Sequence, residues 1–415
     1  MVSSRVALLS GALTLNLTAA ALHGQRPIPS TLDPRIAATL VRAESDLIAL
    51  RRDLHQHPEL SGAEVRTSAL VAARLNALGL EVRTGIGGHG VVGLLRGGRP
   101  GPLVAYRADM DAVPSDAPDP VEFQSLTAGI RHICGHDLHT TIGLAIAAAL
   151  TEVRRELRGS VLFIFQPAEE RAVGAVAMLA DDLFRDGRPV AIYALHTAPL
   201  QVGRLATAAG GLMAGRDRLM VSITGPGDLR RAADSVHGVL ERAGTVAPDR
   251  RFTPAPPSLV MVEAFPVRAS AEGLQLGAEV TLASAEVRAV FRAQLTRDLA
   301  RLDLSEVRVT LSYQEKRIAG VTNDPALVAG GNAAIGRELG DSAVTMVTTV
   351  LPAFSEDFGS FQERVPGVMY FLGVSNAAKG WVGMPHSPQY VADEGAILIG
   401  ARAMTAVLLA RLREG

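Results

Sequence analysis

The sequence predicts an α/β fold with a mostly parallel sheet, interrupted by a smaller ferredoxin-like α+β insert. Three observations predict it: helical patterns alternate with short apolar runs, the pattern changes near Arg216, and the first pattern resumes after Pro325. Alternation of strands and helices favours parallel pairing. Hydrophobic residues form 48% of the 415-residue chain, so a sizeable core can be buried. Typical domain sizes predict roughly two to three domains.

The first predicted unit comprises residues 35–215 and 320–415. We expect helices over residues 35–54, 65–78, 142–155 and 172–182, and strands over residues 91–95, 103–106, 160–165 and 191–195. Pro58 lies just beyond the first helical pattern, as is common where a helix ends. Glycine or proline bounds the first two strand runs, as it does in many buried strands.

The second predicted unit is the insert, residues 216–319. Strands are expected over residues 218–224, 259–263, 276–282 and 306–313, and helices over residues 229–243 and 286–302. The resulting order of strand, helix, strand, strand, helix and strand suits a small ferredoxin-like domain.

The N-terminus has the pattern of a signal peptide over residues 1–24. Arg5 precedes a largely apolar run over residues 6–22, and three alanines at 19–21 offer a cleavage site. A short membrane anchor is the alternative, but the run is shorter than the roughly 20 residues that span a bilayer. Residues 25–34 contain three prolines and are predicted to be a linker. We therefore expect an exported protein, periplasmic or secreted, that is not held in a membrane after cleavage.

The net charge is −1 and no run of Lys or Arg is present, so nothing indicates nucleic acid or an anionic membrane surface as a ligand. A single cysteine cannot form an internal disulfide. The expected assembly is a monomer or a homodimer.

Residues 132–139 read His-Ile-Cys-Gly-His-Asp-Leu-His and include that cysteine, Cys134. Cysteine, histidine and aspartate are ligands of zinc-like ions, and five such residues lie within these eight positions. An isolated cysteine is normally a small buried hydrophobe, but this combination favours a metal site.

Further ligand-type residues lie far along the chain. Glu169 and Glu170 follow one predicted strand, His196 follows another, and His386 lies in a Met-Pro-His-Ser-Pro segment. Ligands of open α/β sheets gather beyond the carboxyl ends of strands, so these side chains can converge. Taken singly, a histidine there is more often a turn residue, and paired glutamates often begin a helix.

Adjacent glutamates have a specific use in a metal centre. One can bind the ion while its neighbour acts as general base on a metal-activated water. A group that bridges two ions should be anionic and compact, which a Cys134 thiolate would be.

Six motifs in order support this interpretation: residues 55–61, 107–112, 132–139, 165–170, 355–358 and 384–388. With them the chain resembles the aminoacylase/carboxypeptidase family of dinuclear metallohydrolases, in its N-acyl-amino-acid amidohydrolase branch. That branch includes hippurate hydrolase-like and auxin-conjugate hydrolase-like enzymes. The resemblance covers roughly residues 45–215 and 320–409, and it implies that the first predicted unit is a metallopeptidase-like catalytic layer.

The resemblance implies two divalent metal ions, with zinc, manganese and cobalt as the candidates. It also implies a set of metal ligands: Cys134, His136, Glu170, His196 and His386. Glu169 would be the general base and acid, and Asp111 would orient a ligand histidine, as metal-binding histidines generally require. His139 and Asp109 are expected close to the site. His57 and Glu59 suit a helix end as well as they suit a functional role.

The insert departs from the family pattern. In the family, the loop that opens the insert usually carries a histidine that reaches a partner subunit's active site. Here that loop, residues 224–230, is Thr-Gly-Pro-Gly-Asp-Leu-Arg and contains no histidine. His237 is the only histidine of the insert and the one candidate replacement. It lies beside an apolar helix face, which also suits a structural residue.

The leading hypothesis is a metal-dependent amidohydrolase that cleaves N-acyl amino acids or short peptide-like substrates. The alternative is a catalytically weak or inactive metal-binding homologue that acts as a binding protein. Glu169 favours the enzyme, because a structural metal site needs no free carboxylate beside a ligand.

Overall fold

The computed structural model describes residues 30–414, apart from the side chains of residues 315–317. The predicted signal peptide and residues 25–29 of the predicted linker lie outside this part of the chain. Residues 30 and 31 are anchored, because Ser30 and Thr31 donate three hydrogen bonds of 2.6–2.9 Å to the Glu338 carboxylate. Leu32 follows them into the main core.

The helices of the described chain are α1 Pro34–Arg42, α2 Glu44–Gln56, α3 Val65–Ala77, α4 His136–Thr151, α5 Gly174–Ala180, α6 Leu229–Arg242, α7 Ala285–Ala300, α8 Pro325–Leu339, α9 Gly359–Gln362 and α10 Ala396–Glu414. The strands are β1 Glu81–Ile86, β2 Gly90–Arg96, β3 Arg99–Asp109, β4 Val113–Pro114, β5 Ile130–Arg131, β6 Arg158–Gln166, β7 Ala191–Gln201, β8 Leu205–Thr207, β9 Gly210–Met213, β10 Gly215–Thr224, β11 Val260–Ala264, β12 Arg268–Ser270, β13 Gly273–Leu282, β14 Arg308–Ile318, β15 Val321–Asn323, β16 Val344–Met346 and β17 Gly367–Ser375.

Eight strands form a central sheet in the order β1-β2-β6-β3-β7-β17-β8-β16. The four strands β6, β3, β7 and β17 run parallel to one another, and so do β8 and β16. Antiparallel pairs join β1 to β2, β2 to β6, and β8 to β17. The prediction of an α/β fold with a mostly parallel sheet is confirmed.

Both faces of the central sheet are buried. Along β6, Val161, Phe163 and Phe165 belong to one apolar cluster, while Leu162 and Ile164 belong to another. Because successive side chains of a strand point to opposite faces, the clusters cover the two faces of the sheet. Helices α1–α4, α8 and α10 contribute to the first cluster, and α5 and α9 contribute to the second. Burial on both faces explains why these strands are continuous apolar runs.

A second sheet has the order β11-β13-β10-β14, with β12 beside β13, and all of its pairs are antiparallel. Helices α6 and α7 share an apolar cluster with it. The strand order and the alternation with two helices are those of a ferredoxin-like unit. The short pair β9–β15 lies where the chain enters and leaves this unit. The exact limits of the two domains remain predictions.

Some elements differ from the sequence prediction. The helix expected over residues 35–54 is two helices, α1 and α2, divided at Ala43. Helix α4 begins at His136 rather than at residue 142, because polar residues in its buried first turn hide the apolar periodicity. Strand β1 was not predicted, since most of its residues are at least partly exposed and form no apolar run.

None of the helices between residues 30 and 414 combines the length and apolar character that a bilayer crossing requires.

The burial of α4 gives a stability prediction. Ile142 is fully buried in the main core, so Ile142→Ala should lower the free energy of unfolding by about 2–5 kcal/mol through lost packing and a residual cavity. Val41→Ala is a matched control, because Val41 is 65% exposed. Urea denaturation at a matched metal concentration measures both variants. Equal stabilities would contradict the packing of α4 against the sheet.

Candidate metal centre

The sequence motifs converge where parallel strands of the central sheet end. Asp109 ends β3 and lies opposite Gln166, which ends β6. The loops that follow carry Asp111 and the Glu169–Glu170 pair. Because the carboxyl ends of parallel strands lie at one edge of a sheet, these carboxylates meet there.

His196 lies inside β7 and not beyond its end, so that part of the prediction is wrong. Strand β7 pairs with β3 only as far as Ala194, but it continues beside β17 as far as Gln201. His196 pairs with Phe371 of β17 and lies past the last β7 residue that pairs with β3. Its ring therefore still reaches the edge where β3 ends.

The turn at Gly135 places Cys134 and His136 side by side. Gly135 has φ 91°, a left-handed conformation that residues with a Cβ seldom adopt. A Cβ there would lie 2.5 Å from the Tyr390 hydroxyl oxygen and 2.6 Å from the Thr197 hydroxyl oxygen. The Thr197 hydroxyl donates a hydrogen bond to the Cys134 carbonyl oxygen and so stabilises the same turn. Glycine is thus required at this turn, which places Cys134 immediately before the start of α4.

The structure divides the ligand-type residues of segment 132–139 into different roles. Cys134 and His136 face the sheet edge. Asp137 points away, where its Oδ2 lies 2.9 Å from Arg51 Nε and 2.8 Å from His55 Nδ1. His132 is buried, and neither of its ring nitrogens has a hydrogen-bond partner among the described residues.

Hydrogen bonds show which imidazole nitrogens are free to bind a metal. His136 Nδ1 lies 3.3 Å from Asp111 Oδ1, and the buried His136 Nε2 has no hydrogen-bond partner in the described chain. His196 Nδ1 donates to the Thr197 carbonyl at 2.8 Å, so its Nε2 carries the lone pair and lies within hydrogen-bonding distance, 3.5 Å, of Cys134 Sγ. A carboxylate or carbonyl at one nitrogen sets the tautomer that leaves the other as a ligand.

His139 is different, because both of its ring nitrogens are engaged. Its Nδ1 lies 2.6 Å from Asp109 Oδ1, and its Nε2 accepts the Thr197 backbone N–H at 2.8 Å. His139 therefore joins β3 to β7 near the site without a free ligand atom.

Two groups of potential ligand atoms share Cys134. One contains Cys134, His136 and His196, and the other contains Cys134, Glu170 and His386; within each, the ligand atoms lie within 4.8 Å of one another. His386 Nε2 lies 3.4 Å from Glu170 Oε1, and the His386 backbone N–H donates to the Ile133 carbonyl at 2.8 Å. These contacts hold His386, which is distant in sequence, next to Cys134.

Glu169 lies next to both groups. Its Oε2 is 3.8 Å from His136 Nε2, and the side chain is buried. The neighbouring Glu170 turns its Oε1 toward His386 and lies 3.7 Å from the same His136 nitrogen. Both adjacent glutamates thus approach the same imidazole nitrogen.

The electrostatics of the site favour a cation. Burial lowers the pKa of His136, but the charges of Asp109 and Asp111 outweigh it and raise the pKa to about 10. Burial raises the pKa of the Cys134 thiol, and the charge of Glu170 raises it further. Burial also raises the pKa of Glu169 well above its usual range, as do the charges of Glu356 and Glu170. A thiolate here therefore requires a compensating positive charge.

The residues fit a divalent ion. The buried atoms His136 Nε2 and Glu170 Oε1 have no hydrogen-bond partner in the described chain, and a metal ion would satisfy both. Burial lowers the pKa of His196 to about 4, so that imidazole is neutral, as a ligand must be. A mixed set of thiolate, imidazole and carboxylate donors suits zinc and its neighbours.

Sequence reasoning missed the buried ion pairs beneath the site. The fully buried Arg107 lies 2.7 Å from Asp109, 2.8 Å from Glu356 and 3.4 Å from Asp357. Two motifs contain these residues, but no role was predicted for Arg107, Glu356 or Asp357. A charged residue inside the apolar run of β3 is the signal that could have indicated a buried ion pair.

His57 and Glu59 have contacts typical of helix ends. His57 is the residue after α2, and its Nδ1 lies 2.8 Å from the Asp53 carbonyl oxygen. The Glu59 carboxylate accepts the backbone N–H groups of Arg66 and Thr67 at the start of α3.

The insert loop is short. Only residues 225–228 separate β10 from α6, and Asp228 caps α6 by accepting the Arg231 N–H at 3.0 Å. His237 lies within α6, where its Nδ1 is 3.6 Å from Glu241 of the same helix.

Comparison with known proteins identifies the family. Residues 105–410 match Peptidase family M20/M25/M40. A probable hydrolase of Synechocystis sp. is 32% identical over 368 residues, which cover 85% of this chain and 92% of that protein. The IAA-amino acid hydrolase ILR1-like 6 of Arabidopsis thaliana is 31% identical and covers 86% of this chain and 78% of its own length.

A solved structure shares the fold. The YxeP protein of Bacillus subtilis, described as a dinuclear metal binding peptidase from the M20 family, superposes with a TM-score of 0.73. It is 27% identical, and the match covers 90% of this chain and 99% of that one. This chain therefore belongs to the M20/M25/M40 peptidase family and is a metal-dependent hydrolase of amide bonds.

Proposed function

We propose that this enzyme cleaves the amide bond of N-acyl amino acids or short peptide-like substrates, with Glu169 as general base and acid. The observation that carries the proposal is the buried Glu169 carboxylate, 3.8 Å from His136 Nε2 and adjacent in sequence to Glu170. A carboxylate so placed beside a ligand cluster is what a hydrolytic metal centre needs and what a passive binding site does not.

Five residues would hold two ions. Cys134, His136 and His196 would hold one, and Cys134, Glu170 and His386 would hold the other. Because Cys134 belongs to both groups, its thiolate would be a ligand to both ions. Zinc, manganese and cobalt are the candidates. When bound, such ions supply Lewis acidity that polarises a carbonyl group and makes a coordinated water more acidic.

The protein's own groups would handle the proton. Glu169 takes a proton from the attacking water and delivers it to the nitrogen of the leaving amine. Asp111 accepts a hydrogen bond from His136 Nδ1, which keeps the Nε2 lone pair directed at the site. The buried surroundings of Glu169 exclude bulk water from this transfer.

The substrate class is supported by a relative. The Arabidopsis protein is named as an IAA-amino acid hydrolase. We infer that this chain acts on the same kind of bond. The acyl group and the amino acid are to be found by screening a panel of N-acyl amino acids and dipeptides with added zinc, manganese or cobalt.

Metal removal should abolish turnover. The purified protein is expected to hold two divalent ions per chain, and Glu170→Ala should lower that content because one ion loses its carboxylate ligand. His57→Ala is a matched control, because His57 caps α2 outside both ligand groups. Plasma emission measures the content. A metal-free preparation that hydrolyses the panel as fast as the loaded enzyme would contradict the proposal.

Replacement of the proposed base should separate binding from chemistry. Glu169→Gln keeps the size of the side chain but removes the proton acceptor, so kcat should fall by about 10²–10⁴ while metal content stays near wild type. Glu156→Gln is a surface control, since the exposed Glu156 carboxylate forms an ion pair with the exposed Arg35. Steady-state kinetics on the best panel substrate measures both variants. Wild-type turnover in Glu169→Gln would show that another group is the base.

We also propose export with removal of residues 1–24, as a monomer or a homodimer. Ser30 and Thr31, which donate hydrogen bonds to Glu338, lie downstream of the proposed cut. N-terminal sequencing of the native protein should find a start between residues 22 and 25, and sedimentation gives the assembly. An intact Met1 on the native protein would reject cleavage.

A further inference from the structure

The loop that carries Glu169 and Glu170 has an unfavourable backbone. It connects β6 to α5, and two of its alanines, Ala168 and Ala172, have φ values of 52° and 51°. A left-handed conformation is disfavoured for residues with a Cβ, because the Cβ approaches the following carbonyl oxygen. Such a conformation persists only where surrounding contacts hold it.

Part of the support lies within the loop. The Ala168 carbonyl accepts the N–H groups of Val173 and Gly174 at 3.3 and 3.2 Å, and the Ala172 N–H donates to the Glu169 carbonyl at 2.6 Å. These bonds close the loop on itself. They do not determine where the loop lies relative to the rest of the site.

One buried side chain supplies the external contact. Glu64 Oε1 accepts the Ala168 N–H at 2.8 Å, although the two residues are 104 positions apart. The same oxygen accepts the Gly62 N–H at 2.9 Å, and Glu64 has no exposed surface. One carboxylate oxygen therefore joins the loop of residues 61–64 to the residue that precedes Glu169.

A second carboxylate makes a parallel link. Asp111 Oδ2 accepts the Ser61 hydroxyl at 2.6 Å and the Glu170 N–H at 3.0 Å. Residues 61–64 therefore contact both Asp111 and Ala168. The backbone on either side of Glu169 is tied to this one short loop.

We propose that Glu64 is a positioning residue, which holds Ala168 in its left-handed conformation and so aims Glu169 and Glu170 at the metal ions. The inference rests on the proposed function, in which Glu170 binds metal and Glu169 moves the proton. Without the Glu64 oxygen, the buried Ala168 N–H loses its partner, and the loop relaxes toward ordinary backbone angles. Glu170 then leaves its place beside His386.

Cobalt(II) binding to the purified protein tests the proposal without reference to turnover. Glu64→Ala should weaken cobalt affinity by about 10- to 100-fold, the usual effect of losing a group that orients a ligand, and should alter the visible absorption of the bound ion. Glu64→Gln should restore both, because the amide oxygen can still accept the Ala168 N–H. If Glu64→Ala does not fold, Glu64→Asp serves instead, since its shorter side chain withdraws the oxygen from Ala168.

Glu59→Ala is the matched control. Glu59 lies five residues earlier and also accepts two backbone N–H groups, but both belong to α3 and neither belongs to the Glu169 loop. It should keep wild-type cobalt affinity and absorption. The proposal is overturned if Glu64→Ala binds cobalt as wild type does, or if Glu59→Ala loses as much affinity.

Glu170→Ala separates this inference from the proposed function. If Glu170→Ala binds cobalt as tightly as wild type, the assigned ligand set is wrong. If Glu170→Ala weakens binding but Glu64→Ala does not, the ligand set stands and only the positioning role of Glu64 is rejected.

Discussion

Repulsion between buried carboxylates is the constraint on which this site depends. Asp109, Asp111, Glu169, Glu356 and Asp357 are all buried at one edge of the central sheet. Arg107 offsets part of the charge through ion pairs with Asp109, Glu356 and Asp357. Since burying unpaired charge is costly, the remaining carboxylates favour a further positive charge at the same place. The raised pKa values of His136 and Glu169 reflect this need for a positive charge.

The same ion pairs hold the catalytic layer together across the insert. Arg107 lies on β3, whereas Glu356 and Asp357 follow the second sheet by some forty residues of chain. The Asp357 carboxylate also accepts the Gln166 side-chain amide at 2.6 Å and the Ala175 N–H at 3.0 Å. It therefore fixes both ends of the loop whose middle is tied to Glu64 and Asp111. Three separated segments, which carry Glu64, Asp111 and Asp357, therefore hold the seven residues between β6 and α5 in place.

Residue type and local pattern allowed much of this site to be predicted. Cysteine and histidine in segment 132–139, paired glutamates after a strand and a late histidine are unusual in themselves, and the structure brings Cys134, His136, Glu170, His196 and His386 together. Residues whose role depends on a distant partner could not be assigned. In the sequence, Glu64 resembles any glutamate at the start of a helix, and only the structure shows its hydrogen bond with the Ala168 N–H. Likewise, Asp137 resembles a ligand until its contacts with Arg51 and His55 are known.

We propose that two ions share Cys134 at this edge of the sheet. Anomalous diffraction from crystals of the zinc- or cobalt-loaded protein would locate both ions. Two anomalous peaks are expected in each chain, one contacted by Cys134, His136 and His196 and the other by Cys134, Glu170 and His386. A single peak, or a peak held by Asp109 and His139 with Cys134 left unbound, would contradict it.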